Sequence, residues 1–162
     1  MKFSAVEEYG LRCLIQIAKN DKNNGLTIPE LSELEGLSEA NVAKILRILR
    51  LGGIVEAERG QTGGYRLTRP PEEISLREIL YVLGGKLFES DYCNTYTGIS
   101  TICTNSTDCS VRSVWRNVQR VIDEVLGRLT LKDLLAPEKV VDKVVSEKVE
   151  NVVSTIELKV LQ

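Results

Sequence analysis

Three cysteines in the second half of the chain are the residues best suited to chemistry. Cys93, Cys103 and Cys109 have the spacing C-x9-C-x5-C in a segment rich in Ser, Thr and Asn. Thiolates are soft ligands, so this set favours a metal or iron-sulfur centre over a persistent disulfide in a chain expected to be cytoplasmic. Two alternatives stay open: three unligated thiols, or a redox pair formed by Cys103 and Cys109.

The chain of 162 residues contains no histidine. Ser-His-Asp, Cys-His and histidine-ligated zinc sites are therefore excluded. Three sulfurs leave one coordination position, and the oxygen candidates for it are Glu8, Glu7, Asp91 and Asp108, with water or a small thiol as alternatives. Cys13 lies on the apolar side of the first predicted helix and is expected to be a core residue.

Enzymatic chemistry has little support elsewhere in the sequence. We find no nucleophile-base pair, phosphate loop or carboxylate dyad in a convincing context, and the glycine-rich run 60–64 lies in a predicted hairpin. Hydrophobic residues make up 43% and charged residues 27%, as in folded proteins. Apolar runs fall far short of the roughly 20 residues of a membrane span, and residues 1–10 lack a signal-peptide core. We expect a cytoplasmic protein that is not an enzyme and has no membrane partner.

The elements that precede the cysteines follow a helix-turn-helix pattern. Apolar residues recur at three or four positions over residues 4–18, which predicts a first helix. Thr27 and Pro29 mark the start of a short helix that reaches Glu35. After a glycine-containing turn, Ser38 is suited to cap a longer helix.

A small β wing follows the longer helix. Residues 54–57 and 65–67 have strand character and are joined by a glycine-rich loop, and Ser75 begins a further short helix. We therefore predict a mainly α fold with a small β wing, in which residues 1–83 form a winged helix-turn-helix domain.

Local charge favours DNA as the partner of this domain. The segment 38–70 carries six Lys or Arg against three Glu, or +3, although the whole chain has a formal charge of −2. A helix fits the major groove, where Glu39 suits cytosine and Asn41 adenine, while arginines suit phosphates and the narrow minor groove. The alternative is that these charges merely solvate the surface. The residues predicted to contact DNA are Ser38, Glu39, Asn41, Lys44, Arg47, Arg50, Arg59 and Gly60.

The rest of the chain divides into three segments. Residues 84–110 are predicted to form a cysteine loop, and residues 111–135 a long amphipathic helix. An identical helix in a second copy would cover its apolar stripe, which predicts a homodimer with Trp115 packed at the seam. Residues 136–162 fit either a terminal amphipathic helix or a frayed tail.

Several of these motifs together resemble the winged-helix iron-sulfur transcriptional regulators of the IscR and NsrR type. The resemblance covers about residues 1–135. It is carried by Tyr9-Gly10-Leu11-Arg12, Gly53-Ile54-Val55, Arg59-Gly60-Gln61-Thr62-Gly63-Gly64-Tyr65-Arg66-Leu67 and Ile74-Ser75-Leu76.

The resemblance implies a dimeric transcription factor with a cluster on Cys93, Cys103 and Cys109. A [2Fe-2S] cluster is the favoured form and a [4Fe-4S] cluster the alternative, with Glu8 of the partner subunit as the implied fourth ligand. Arg112 stands where IscR-like members have a histidine ligand. The first two cysteines are also further apart than the five intervening residues of the family.

The predicted function is binding to a palindromic operator, controlled by a cluster that senses redox state, nitric oxide or iron-sulfur status. One alternative is a cluster-free regulator that senses an oxidant or a partner protein through its thiols. Another is a small redox or metal-carrier protein whose winged helix is a protein-binding platform.

Overall fold

A computed structural model describes residues 4–20, 25–58, 63–86, 88 and 92–160, with side chains described as far as residue 155. The mainly α fold with a small β wing is confirmed. The elements in chain order are α1 (Ala5–Lys19), α2 (Ile28–Glu35), α3 (Glu39–Leu51), β1 (Val55–Ala57), β2 (Tyr65–Leu67), a 3-10 turn (Pro71–Glu73), α4 (Leu76–Gly84), α5 (Tyr92–Thr95), α6 (Ser110–Arg128), a second 3-10 helix (Leu131–Leu135) and α7 (Glu138–Val160).

Capping side chains fix where the first helices begin. Ser4 and Glu7 form a reciprocal capping box on α1, and Thr27 forms another with Glu30 on α2. Ser38 accepts a hydrogen bond from the third backbone N–H of α3. The turn between α2 and α3 is reached through Gly36, whose φ of 63° lies in the left-handed region that glycine adopts without strain.

The wing is a two-stranded antiparallel hairpin. Val55 pairs with Leu67, and Ala57 pairs with Tyr65. Leu26 forms an additional bridge to Tyr65, which ties the segment before α2 to the base of the wing. This close approach requires glycine at position 64, because a Cβ there would lie 2.8 Å from the backbone of Leu26.

The core lies between α1, α3 and α4, and the chain after α6 completes it. Leu129 and Leu131 are buried within this same cluster. Leu76 N–H donates to the Leu129 carbonyl, and Leu131 N–H donates to the Ile74 carbonyl, each at 2.9 Å. The winged-helix core therefore includes residues that follow α6 in the chain.

Two predicted segments differ in the structure. The cysteine segment contains one helical turn, α5, where a loop was predicted, and the aromatic rings of Tyr92 and Tyr96 stack across that turn at 4.6 Å. The helix predicted over residues 111–135 ends at Arg128, because Leu129 turns extended to pair with the start of α4.

Residues 138–160 form a helix, which decides between the two alternatives for the tail. Val152 is fully buried and Val145 packs against the main core. Lys148 Nζ donates to the Arg128 carbonyl at 3.0 Å and to Asp133 Oδ2 at 2.5 Å. These contacts hold α7 against the end of α6 and the second 3-10 helix.

Candidate nucleic-acid interface and cysteine site

Helix α3 presents a polar face that is opposite its buried face. Its inward side consists of Val42, Ile45, Leu46 and Leu49, all buried in the core. The residues on the other side and at the N-cap are exposed. They include every α3 residue predicted to contact DNA: Ser38, Glu39, Asn41, Lys44, Arg47 and Arg50.

The cations of this face have no carboxylate partner in the described part of the chain. Lys44, Arg47 and Arg50 are absent from the ion pairs within 4.0 Å found there. Arg66 on the wing differs, because its guanidinium contacts Glu56 at 2.9 Å and Glu58 at 2.8 Å. The positive charge available to phosphates is therefore on α3 rather than on the strands of the wing.

Two further residues outside α3 are predicted to contact DNA. Arg59 and Gly60 lie outside the described residues. The base of the wing is positioned by the Glu58 N–H, which donates to the Gly64 carbonyl at 2.9 Å.

A polar network that sequence reasoning missed fixes α2 against α1. Arg12 Nε donates to Glu35 Oε2 at 2.6 Å, and Gln16 Nε2 donates to Glu35 Oε1 at 2.7 Å. A second donor of Arg12 reaches the Glu35 backbone carbonyl at 2.8 Å. The side chain of Glu35 is 8% exposed, so a charge-assisted network replaces the water it loses. This contact sets the orientation of the turn that presents α3.

The three cysteines of the predicted cluster site line one cavity of about 210 Å³. Cys93 comes from α5, Cys103 from the following loop, and Cys109 from the N-cap of α6. Cys109 Sγ accepts a hydrogen bond from the Arg112 N–H at 3.3 Å, and Arg112 also lines the cavity.

The donors fit an iron-sulfur cluster in kind, because three partly buried thiols surround one space. A site for a single ion is not preformed: within the described residues, no group of three His, Cys, Asp or Glu side chains is arranged to hold one metal ion.

The oxygen candidates occupy different places. Glu8 is exposed on α1, whereas the Glu7 carboxylate accepts a hydrogen bond from the Ser4 N–H at 2.6 Å. Asp108 is exposed beside Cys109 and lines a neighbouring cavity. Asp91 lies outside the described residues. Glu8 and Asp108 therefore have carboxylates open to solvent, and Glu7 is committed to capping.

The fourth cysteine is a core residue, as its position on α1 predicts. Cys13 is fully buried, and burial raises the pKa of its thiol to about 11. A protonated thiol in the core is a poor ligand and a poor nucleophile.

The chain that carries the α3 face and the cysteine site can be compared with known proteins. The profile of the Rrf2 family, described as an iron-dependent transcriptional regulator, matches residues 3–137. The chain belongs to the Rrf2 family. Its relatives include the protein rrf2 of Nitratidesulfovibrio vulgaris, which is 26% identical over 135 residues, or 83% of this chain and 87% of that protein.

Solved structures of other Rrf2-like regulators agree. IscR of T. potens is 30% identical, with a TM-score of 0.62, over 83% of this chain and 86% of that one. An oxidized form of Staphylococcus aureus CymR is 28% identical, with a TM-score of 0.61, over 85% and 98% of the two chains. This Rrf2 protein is a transcriptional regulator and not an enzyme, and its family implies DNA binding.

A second missed network links the cysteine segment of this Rrf2 chain to its winged helix. Gln119 on α6 is 9% exposed. Its Oε1 accepts from the Phe88 N–H at 2.9 Å, and its Nε2 donates to Asp123 Oδ1 at 2.6 Å. The Tyr81 hydroxyl of α4 donates to the same carboxylate. Burial and the Asp123 carboxylate raise the pKa of Tyr81 to about 12, so the hydroxyl stays a donor at neutral pH.

The N-terminal half of α6 carries the apolar stripe predicted at a dimer seam. The stripe consists of Val111, Val114, Trp115, Val118 and Val121, all of which are exposed. Trp115 is 44% exposed, and Ile102 in the loop before α6 is 69% exposed. Despite these apolar positions, no helix in the described ranges is long and apolar enough to cross a bilayer.

Proposed function

We propose that this protein is a homodimeric regulator whose affinity for a palindromic operator is set by an iron-sulfur cluster. The cluster would be held by Cys93, Cys103 and Cys109, with Glu8 of the partner subunit as the fourth ligand. A [2Fe-2S] cluster is favoured and a [4Fe-4S] cluster is the alternative. The observation that carries the proposal is that three cysteines separated by up to 15 residues line a single cavity.

The DNA-binding step is assigned to α3 and the wing. Glu39 and Asn41 stand in the first turn of α3, where a recognition helix meets base edges in the major groove. Arg47 and Arg50 lie further along the exposed face and suit phosphates. Arg59 and Gly60 at the wing tip are proposed to reach the minor groove.

Dimer formation is assigned to the exposed stripe of α6. Five large apolar side chains over three helical turns would remain in water in a single copy, and burial stabilises by about 25 cal/mol per Å² of apolar surface. A symmetric pair of α6 helices would cover both stripes at once. It would also present two α3 helices to half-sites spaced about 34 Å apart.

The position of Glu8 supports a ligand supplied by the other copy. Glu8 lies on the exposed side of α1 and is not among the residues that line its own cysteine cavity. Arg112 already lines that cavity at the place where IscR-like proteins use histidine. Arginine is a permanent cation and cannot act as a metal ligand, so the fourth ligand must come from another residue.

Control of DNA binding is assigned to the Gln119 network. When bound, the cluster supplies redox-sensitive sulfur coordination that fixes the segment from Cys93 to Cys109. That segment is continuous with Phe88, whose N–H is held by Gln119. Gln119 and Asp123 then reach Tyr81 on α4, which packs against α3. A change in the cysteine segment thus has a hydrogen-bonded route to the recognition helix.

Metal analysis of anaerobically purified protein tests the cluster directly. We expect iron and acid-labile sulfide in equal amounts, with visible absorbance that is lost in a Cys103→Ser variant. Cys13→Ala is the matched control, since it removes a thiol from the core and should leave the spectrum unchanged. Wild-type protein that is colourless and contains only traces of iron would contradict the proposal.

The fourth ligand is tested by Glu8→Ala. Loss of a ligand should shift the visible spectrum and shorten the lifetime of the cluster in air. Glu33→Ala, at an exposed position on α2, is the control and should change neither. An unchanged spectrum and lifetime in Glu8→Ala would remove Glu8 from the site.

The route through Gln119 is tested by Gln119→Leu, with the cluster content measured in the same sample. We expect the variant to retain iron and to bind DNA, but with a smaller difference in affinity between its cluster-loaded and cluster-free forms. If the cluster-loaded and cluster-free forms of this variant differ in DNA affinity as much as those of wild type, control of DNA binding does not depend on Gln119.

A second candidate function is thiol-based sensing without a cluster, favoured by the similarity to CymR in an oxidized form. Cys103 and Cys109 would join in a disulfide, and hydrogen peroxide would accept their two electrons and two protons and become two molecules of water. Peroxide treatment of metal-free protein should then consume two thiols per chain and change DNA affinity. Thiols that persist under this treatment would exclude the candidate.

A further inference from the structure

Three arginines on α6 line a groove that the proposed function does not use. Arg112, Arg116 and Arg120 are spaced by four residues and therefore project from one side of the helix. With Thr107, Ser113 and Asn117 they line a cavity of about 410 Å³, here called the arginine groove. Its volume falls within the roughly 300 to 1,000 Å³ of small-molecule sites.

The arrangement places three cations next to one another on one side of α6. Like charges four residues apart destabilise a helix, and Arg112 lies in the first turn, where the helix dipole already favours negative charge. None of the three forms an ion pair within 4.0 Å with any described carboxylate, although Asp108 also lines the groove. Arg112 instead donates to the Ser106 carbonyl at 2.9 Å, and Arg120 to Asn117 Oδ1 at 3.1 Å.

The arginines of the groove are placed away from the proposed dimer seam, although Ser113 and Asn117 also line a space shared with Val114 and Val118 of the stripe. With 3.6 residues per turn, the three arginines lie about 160° around α6 from the centre of the apolar stripe. A dimer formed through the stripe therefore leaves them in solvent. Among the described residues, none of those that line the groove belongs to α3 or the wing, and α6 packs against α4.

The groove shares a wall with the cysteine cavity. Cys109 and Arg112 line both spaces. A ligand in the groove would therefore contact two of the residues that shape the cysteine site. Binding there has a direct physical connection to the cavity, whatever that cavity holds.

We propose that the arginine groove binds a small polyanion, a molecule that carries two or more phosphate or carboxylate groups. Guanidinium groups bind such groups with paired hydrogen bonds, and successive arginines about 6 Å apart along the helix match separate anionic groups of one molecule. The hydroxyl of Ser113 and the amide of Asn117 add neutral hydrogen-bonding groups to the same wall.

Calorimetric titration of the anaerobically purified full chain with inorganic pyrophosphate and with citrate tests the site. We expect at least one of them to bind wild-type protein, and an Arg116→Gln/Arg120→Gln variant to bind it at least 10-fold more weakly. Arg128→Gln, also on exposed α6 and paired with Glu124, is the control and should bind as wild type does. An Arg116→Lys/Arg120→Lys variant should retain part of the affinity because it retains the charge.

Three results would overturn the proposal. The first is equal affinity in wild type and the glutamine variant, or no binding of either probe at millimolar concentration. The second is a lower salt dependence of DNA binding in the glutamine variant, which would assign the arginines to DNA phosphates. The third is a monomeric glutamine variant by light scattering, which would assign them to the second copy. Unchanged circular dichroism in the variants establishes that each comparison is made on folded protein.

Discussion

The winged helix and the cysteine-bearing part of the chain differ in how completely their apolar side chains are buried within one copy. In the winged helix, Leu14, Leu46 and Ile79 are almost completely buried. In the segment that holds the cysteines and the start of α6, Ile99 and Ile102 face solvent and Trp115 is 44% exposed. The first region has a complete core, whereas the second exposes apolar groups and contains three partly buried thiols. The part assigned to sensing is thus the part that leaves more large apolar side chains exposed in one copy.

Helix α6 connects these two kinds of structure. Its C-terminal end leads into Leu129 and Leu131, which are buried in the winged-helix core. Its N-terminal end is capped by Cys109 and carries the apolar stripe. Helix α6 therefore joins the cysteine segment to the winged-helix core, and Gln119 lies between its two ends.

The largest expected effect comes from placing a charge in the stripe. Val118→Glu should make the protein monomeric in light scattering and remove cooperative operator binding, because burying an unpaired charge costs about 3 to 5 kcal/mol. Arg116→Glu introduces a carboxylate two residues away on the other side of α6 and should remain dimeric. A dimeric Val118→Glu variant would mean that the exposed stripe is not the seam.

Loss of a core side chain beyond α6 should be almost as severe. Leu131→Ala is expected to lower the free energy of unfolding by about 2 to 5 kcal/mol, measured by urea denaturation, because Leu131 is fully buried. Ile102→Ala in the cysteine segment should change it by less than about 0.5 kcal/mol. Similar changes in the free energy of unfolding for the two variants would contradict the difference in packing between the two regions.

Smaller effects are expected at α3, the helix that is proposed to contact DNA. Arg47→Ala should weaken binding to all duplexes and reduce the slope of log affinity against log salt by about 1, since one phosphate contact is lost. Arg128→Ala, on α6 away from α3, should leave the slope unchanged. If both variants keep the wild-type slope, Arg47 is not a phosphate contact.

The smallest effect concerns acid stability at the junction of α7. Burial raises the pKa of Asp133, but hydrogen bonds from Lys148 and Thr130 lower it by more, so the net pKa lies below the ordinary 3.8. Such a carboxylate contributes stability above its unfolded-state pKa that is lost as the pH falls through its folded-state pKa. Asp133→Asn should therefore show a shallower fall in thermal midpoint below about pH 4 than wild type, and exposed Asp142→Asn should follow wild type. Parallel curves for all three proteins would contradict this assignment.

Local sequence signals were sufficient to predict where the first three helices of the winged-helix domain begin. Ser4, Thr27 and Ser38 are capping residues whose effect acts within one turn, so each predicted helix start is found where expected. The same applies to Cys13, whose burial follows from its place on the apolar side of α1. The contact of α3 residues with DNA, and of the cysteines with a cluster, remains a prediction.

Long-range pairing explains what the sequence did not reveal. Leu129 continues the apolar spacing of α6, but its carbonyl is taken by Leu76, a partner 53 residues earlier in the chain. The Arg12–Glu35 and Gln119–Tyr81 contacts likewise join residues on separate helices. A charged or amide residue on a helical surface has the same local pattern whether it faces water or another helix, so spacing alone does not find such contacts.

The central claim is tested most directly by operator affinity with and without the cluster. One anaerobic preparation is divided, the metal is chelated from one half, and both halves are titrated with a duplex that the protein selects from a random pool. We predict at least a 10-fold difference in affinity for wild type and no difference for Cys103→Ser. Equal affinities for the two halves of a wild-type preparation with confirmed cluster content would contradict the account.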